Sequence, residues 1–279
     1  MKTLLTFLFG VAAVLPGLHG ASILTTDFNS ATVGNITSNV SSPGIPGTDG
    51  MFSLADSTRS LAIADTGGGN NVLQLIDNDA VVASSRPTAY KQFTGGAGSN
   101  LITGSYHLRI LNTGQPFLLY TFINASGAVQ SGTNTAVSFN IRTSTGVLQY
   151  YYNNTDSFTV PDTTFKAVIN TDYLFSVSLD YSNAIQDKWR LQVATVAAPG
   201  VILYDTNTDF PTGVDTRAAN VTPGALAWYG GANGAAISAS PFAQIDNLNF
   251  DMSLVPEPST AAFLGLGLLG IVIRRTGRR

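Results

Sequence analysis

Apolar and polar residues alternate with a period of two through most of this chain, and no helical stripe with a period near 3.6 occurs before residue 259. In "SYHLRIL", Tyr106, Leu108 and Ile110 fall on one side and His107 and Arg109 on the other. "AVSFNIRT" sets Val137, Phe139 and Ile141 against Ser138, Asn140 and Arg142. "YLFSVSLDYS" and "KWRLQVAT" repeat the pattern around Phe175, Val177 and Leu179 and around Trp189, Leu191 and Val193. Successive side chains of an extended strand point to opposite faces, so each run predicts a strand with one buried and one polar side. Clusters such as "SSPGIPGTDG", "DTGGGNN" and "YGGANGAA" mark the turns between them. About a dozen strands are expected, which suits two large antiparallel sheets packed face to face. No internal repeat at a solenoid or propeller period interrupts them.

Composition narrows the class further. The 279 residues are 44% hydrophobic and only 11% charged, with 28 glycines and a formal net charge of -3. This is the balance of a turn-rich extracellular β protein, and 279 residues are enough to bury a full core. Without cysteine, the chain has no disulfides, thiolate metal sites or thiol nucleophiles. Four arginines sit in the last six residues, so acids outnumber bases in the body and nucleic acid is excluded as a partner.

The two ends have their own character. At the start, Lys2 precedes an apolar stretch from Leu4 to Leu15, a helix break at Pro16 and Gly17, and small residues at Gly20 and Ala21. Residues 1–21 therefore read as a secretory signal peptide. At the other end, Val255, Pro256, Glu257 and Pro258 lead into an apolar helix expected over 259–273, closed by Arg274, Arg275, Arg278 and Arg279. The apolar core from Ala261 to Ile273 would span only about 20 Å as a helix, against a hydrocarbon layer of roughly 30 Å. A single pass is short unless the arginines snorkel, and they orient the C-terminus toward the cytoplasm.

The VPEP tetrapeptide, apolar segment and terminal arginine cluster together resemble the PEP-CTERM sorting signal of Gram-negative bacteria. The resemblance covers 253–279 and implies an exosortase, a membrane-embedded protease-transpeptidase, as partner. It also implies association with exopolysaccharide, biofilm or floc matrix. The expected path is export across the inner membrane, transient anchoring by the C-terminal helix, and final residence at the cell surface or outside the cell. Pro256 and Pro258 suit a processing site, because they hold the chain extended and stop helix from spreading into the body.

Between these segments, residues 22–252 form the expected β domain. Its opening "TTDFNSATVGNIT" and closing "FAQIDNLNFDM" are similar to the first and last strands of concanavalin A-like (laminin G-like) jelly rolls, which pair side by side. The overall expectation is an all-β, antiparallel two-sheet sandwich followed by one short transmembrane helix.

The body offers little catalytic chemistry. Glu257 is the chain's only glutamate, so the body cannot supply the glutamate pair common in jelly-roll glycosidases. His107 is the only histidine after the signal peptide, and there is neither a zinc-ligand spacing nor a GxSxG elbow. A polar strand residue is the expectation for His107. "DTNTD" alternates oxygen donors at Asp205, Asn207 and Asp209, making calcium the one cofactor to consider, although an Asx-rich turn capping its own backbone explains the pattern better. Tyr151, Trp228 and Tyr229 are candidate carbohydrate contacts, since aromatic rings stack on sugar faces. The expectation is a non-enzymatic, secreted surface or matrix protein. A lectin-like carbohydrate-binding module is the alternative, and an aspartate-based polysaccharide-degrading enzyme stands behind both.

Overall fold

The computed structural model describes residues 21–253, apart from 56–58, 78–86, 95–99, 113–116, 128–132, 143–144, 152–162, 183–186, 219–220 and 233–239. The expected signal peptide, apart from Ala21, lies outside the described residues, as do the VPEP motif, the apolar helix and the arginine tail. Among the described residues no helix is long and apolar enough to cross a membrane.

Sixteen strands are described. The first eight are β1 (Ala21–Thr26), β2 (Gly34–Ile36), β3 (Phe52–Leu54), β4 (Arg59–Asp65), β5 (Asn71–Asp77), β6 (Thr88–Gln92), β7 (Leu101–Ile110) and β8 (Phe117–Asn124). The rest are β9 (Thr135–Arg142), β10 (Leu148–Tyr150), β11 (Asp172–Asp180), β12 (Lys188–Thr195), β13 (Ala198–Asp205), β14 (Val214–Asp215), β15 (Ala225–Ala232) and β16 (Ala243–Ser253). A short 3₁₀ turn, Thr206–Thr208, follows β13.

They form two antiparallel sheets. The ten-stranded sheet runs β13-β12-β11-β7-β16-β5-β4-β2, with β1 also paired to β16 and β14 to β12; the six-stranded sheet runs β10-β9-β8-β15-β6-β3. This is the expected all-β, two-sheet sandwich. The first and last strands pair as expected, with Ala21 opposite Met252 and Thr26 opposite Leu248. Ala21 at the start of β1 lies opposite Met252 near the end of β16, so the first and last described residues lie at the same pole of the sandwich.

The alternation read from the sequence decides which residues meet between the sheets. Tyr106, Leu108, Ile110, Phe175, Val177, Leu179, Trp189, Leu191 and Val193 from the large sheet are buried, as are Val137, Phe139, Ile141, Leu226 and Trp228 from the smaller one. Aromatic rings bind the layers together: Phe139 stacks on Phe175 at 6.1 Å, and Trp228 meets Tyr106 and Phe250 edge-on at 5.8 and 5.7 Å. Such contacts add about 0.5–1.5 kcal/mol each beyond their buried area. The Tyr106 hydroxyl reaches across the core to hydrogen-bond Thr121 Oγ1 at 2.6 Å, so the two sheets also share a polar tie.

Candidate functional site

Of the three aromatics expected at a sugar surface, the structure places two in the interior. Trp228 lies between the sheets with 0% of its surface exposed, so neither face of its ring is open to a ligand. Tyr151 is 8% exposed, and the Arg217 guanidinium sits 4.1 Å from its ring centroid, a cation–π contact occupying one face. Tyr229 keeps solvent access. It stands on the side of β15 that faces away from the core, edge-on to Phe122 at 5.3 Å, with Tyr90 and Ala227 in the same small cluster.

The strand register builds a row around Tyr229. Tyr229 pairs with position 120 on β8, position 120 with Asn140 on β9, and Asn140 with Gln149 on β10. Paired residues share a face, so Tyr229, Asn140 and Gln149 lie in one line across the outer side of the six-stranded sheet. Arg142 Nε donates to Gln149 Oε1 at 3.0 Å, which fixes that amide. Asn140 is fully buried, and neither its amide nitrogen nor its oxygen has a hydrogen-bond partner. A buried amide left this way costs about 1–3 kcal/mol.

The "DTNTD" oxygens do not converge as calcium ligands would. Asp205 caps the 3₁₀ turn by accepting from Asn207 N at 2.9 Å. It also takes a two-pronged contact from Arg190, with Nε to Oδ1 at 2.9 Å, and accepts from Gln192 Nε2 at 2.9 Å. The Arg190 guanidinium holds this carboxyl below the usual carboxylate range. Asp209 turns elsewhere, accepting from the Tyr204 hydroxyl at 2.7 Å and the Tyr150 hydroxyl at 3.2 Å. The Asx-turn reading describes this loop, and among the described residues no group of three or more His, Cys, Asp or Glu could hold a metal ion.

His107 occupies a more built environment than its isolated place in the sequence suggested. A depression of about 280 Å³ on the outer side of the large sheet is lined by His107, Arg109, Asp172, Gln244, Asp246 and Asn247, among others. β16 carries a bulge between Asp246 and Asn249, where Asn247 takes a left-handed φ of 48°. That bend sets the Asn247 amide 3.0 Å from His107 Nδ1 and 3.3 Å from Asp246 Oδ2. Arg109 pairs with Asp172 through two contacts, Nε to Oδ1 at 2.6 Å being the longer. Burial lowers His107, with Asp172 opposing, and pushes Asp246 up to about 6. The described partner of His107 is an amide rather than a hydroxyl, so the arrangement is a hydrogen-bonded polar bowl and not a nucleophile–base pair. No periodicity in the sequence marks this bulge, and only the paired strands bring residues 107 and 246 together.

Comparison with known proteins bears on the fold and on the tail. A protein of unknown function from Shewanella oneidensis MR-1 is 13% identical, with a TM-score of 0.51 over 85% of this chain and 91% of its own. An alginate lyase from Aplysia kurodai is 9% identical, with a TM-score of 0.49 over 78% of this chain and 98% of its own. Arcelin-5, a lectin-like defense protein from Phaseolus vulgaris, is 11% identical, with a TM-score of 0.43 over 81% of this chain and 100% of its own. At these identities the likeness is one of fold alone. No curated protein gave a significant match. The tail is the part with a sequence-level match: residues 254–279, beginning one residue after β16 ends, are a PEP-CTERM protein-sorting motif, the mark of an exported, exosortase-processed cell-surface protein.

Proposed function

We propose that this chain is a non-enzymatic protein of the bacterial cell surface or extracellular polysaccharide matrix, anchored briefly by its C-terminal segment and processed there by an exosortase-type protease-transpeptidase. The observation that carries the reading is the sorting motif at 254–279, placed directly after the final strand of a β-sandwich. Three features of the body support it: the absence of glutamate before residue 257, an amide-bonded His107, and an Asp205 committed to Arg190. Intact-mass analysis of the protein recovered from its native host tests it. The mature mass should lack both terminal segments, and a variant without residues 256–279 should lose membrane retention and processing. A mature protein with its C-terminal segment intact would sink the proposal.

A second reading, a lectin-like carbohydrate-binding module, is favoured by Tyr229, which keeps solvent access on the outer side of the six-stranded sheet beside Phe122 and Tyr90. Binding to the host's own polysaccharide, lost in Tyr229→Ala, is the expected result on this reading. Equal retention of the polysaccharide by parent and variant would remove it.

A further inference from the structure

Asn247 stands between two groups that can each take a proton, and its side chain serves both in only one orientation. The amide nitrogen lies 3.0 Å from His107 Nδ1 and 3.3 Å from Asp246 Oδ2. An amide nitrogen only donates and an ionised carboxylate only accepts, so with Asp246 charged the nitrogen end must face both groups and His107 Nδ1 must accept. The neutral imidazole is thereby held as the tautomer with its proton on Nε2. His107 and Asp246 are directly opposed on β7 and β16, and the left-handed φ of 48° at Asn247 in the bulge brings the amide back to the pair.

Protonation reverses these roles. Asp246 is ringed by donors: the Asn247 backbone N–H at 2.7 Å, the Asn247 amide, and the Asn70 side chain. A proton on Oδ2 would point at the amide nitrogen, donor against donor. Turning the amide over gives that proton an acceptor in Asn247 Oδ1, but sets the same oxygen against the bare Nδ1 of His107. A second proton, on His107, makes the turned amide fit, because Oδ1 then accepts from both neighbours. The surrounding charges favour both steps. His107 faces Arg109 of its own strand and Asp172 of β11, which are paired with each other, and Asp172 favours its protonation. Asp246 faces Asp172 and also Asp27 from the segment after β1, and both carboxylates favour its neutral form.

We propose that the Asn247 amide is a two-position switch that makes Asp246 and His107 take up protons together. Before the turn, the bowl is lined by charged Asp172 and Asp246 against Arg109; after it, by Arg109 and His107 against Asp172. Its lining thus passes from net negative to net positive on acidification. For a chain exported to the cell surface, the acidity that throws the switch is that of the surroundings.

The sequence makes the switch readable. His19 falls in the expected signal peptide, so the exported protein carries His107 alone and its imidazole is seen by NMR without overlap. In mildly alkaline solution the ring nitrogens of the isotope-labelled protein should show the Nε2–H tautomer. On acidification the Asp246 carboxyl carbon, the His107 ring and the Asn247 side-chain amide should follow one shared midpoint. Asn247→Gly removes the amide and suits the left-handed backbone, so the bulge is kept. In that variant the carboxyl and imidazole midpoints should separate, and the neutral ring should become a mixture of tautomers. An Nδ1–H tautomer in the parent overturns the proposal. So do separate midpoints in the parent, or a shared midpoint that survives in Asn247→Gly.

Discussion

Gly104, in the middle of β7, gives the sharpest test of how the sheets are packed. A Cβ added there would sit 2.1 Å from Phe250 Cδ1, 2.4 Å from Cγ and 2.6 Å from Cε1, whereas carbon atoms in contact prefer about 3.5–4.0 Å. Phe250 lies opposite Gly104 in the β7–β16 register and lays its ring over the bare backbone. The ring cannot swing clear, because it is buried and meets Trp228 edge-on at 5.7 Å. Unlike many glycines of this chain, Gly104 does not adopt a positive φ, so alanine fits the backbone there. In open space Gly104→Ala would stabilise the strand by roughly 0.5–1 kcal/mol. Against the fixed ring it should instead cost about 1–3 kcal/mol through overpacking. In a Phe250→Ala background the clashing Cγ, Cδ1 and Cε1 atoms are gone, and the same substitution should become neutral or mildly stabilising. The double-mutant cycle should thus show a coupling of about 2 kcal/mol. Urea unfolding followed by tryptophan emission measures it, since Trp189 and Trp228 are both buried and report loss of the core. If Gly104→Ala stabilises the parent, or costs the same in both backgrounds, the packing argument is wrong.

Other perturbations have defined signs. Burial, with repulsion from Asp180 added, pushes Asp187 up to about 6, and both of its carboxylate oxygens are buried without a partner. A carboxyl that holds its proton more tightly when folded contributes most at low pH, and that contribution falls as the pH rises from about 4 to about 6. Asp187→Asn should therefore match the parent near pH 4 and exceed it by about 1–2 kcal/mol above pH 7, read from denaturant midpoints. Asp205 behaves in the opposite sense: its pairing with Arg190 stabilises above the ordinary carboxylate pKa and is lost on acidification through the lowered one. Because the pair is partly exposed, Arg190→Ala should cost no more than about 1 kcal/mol at neutral pH, shrinking in high salt in a thermal melt. Tyr204→Phe removes the donor to Asp209 and should cost about 1 kcal/mol, measured by the same urea titration.

The strands that could be read from the sequence were those whose two faces differ. β7, β11 and β12 bury one side and leave His107, Arg109, Ser176, Arg190 and Gln192 partly open, so alternation revealed both the strand and its inner face. β9 alternates as clearly, yet its polar residues Ser138 and Asn140 are fully buried, because both sides of that sheet region are covered. Period two reports which face is apolar, not which face is wet. Short strands such as β2, β3, β10 and β14, with two or three residues each, carry too few side chains to show a period. The same limit applies to the sites. Tyr151, Trp228 and Tyr229 looked alike as aromatics, and only the position of each on its sheet separates the core rings from the accessible one. The bowl at His107 depends on a bulge and on pairing between residues some 140 positions apart, which leave no local mark.

The place of β16 in the large sheet bears on how such a chain crosses a membrane. It is the last strand to be made, yet it lies inside the sheet, bonded to β7 and β5 and also to β1 at the opposite end of the chain. Until residue 253 has emerged, β7 and β5 have no strand between them and the first strand has no partner. These are contacts of very long sequence separation, the slowest kind to form. A chain that passes through a pore as a thread gains from this order. For a chain that emerges from its N-terminal side, the large sheet would stay open until its last described strand had followed.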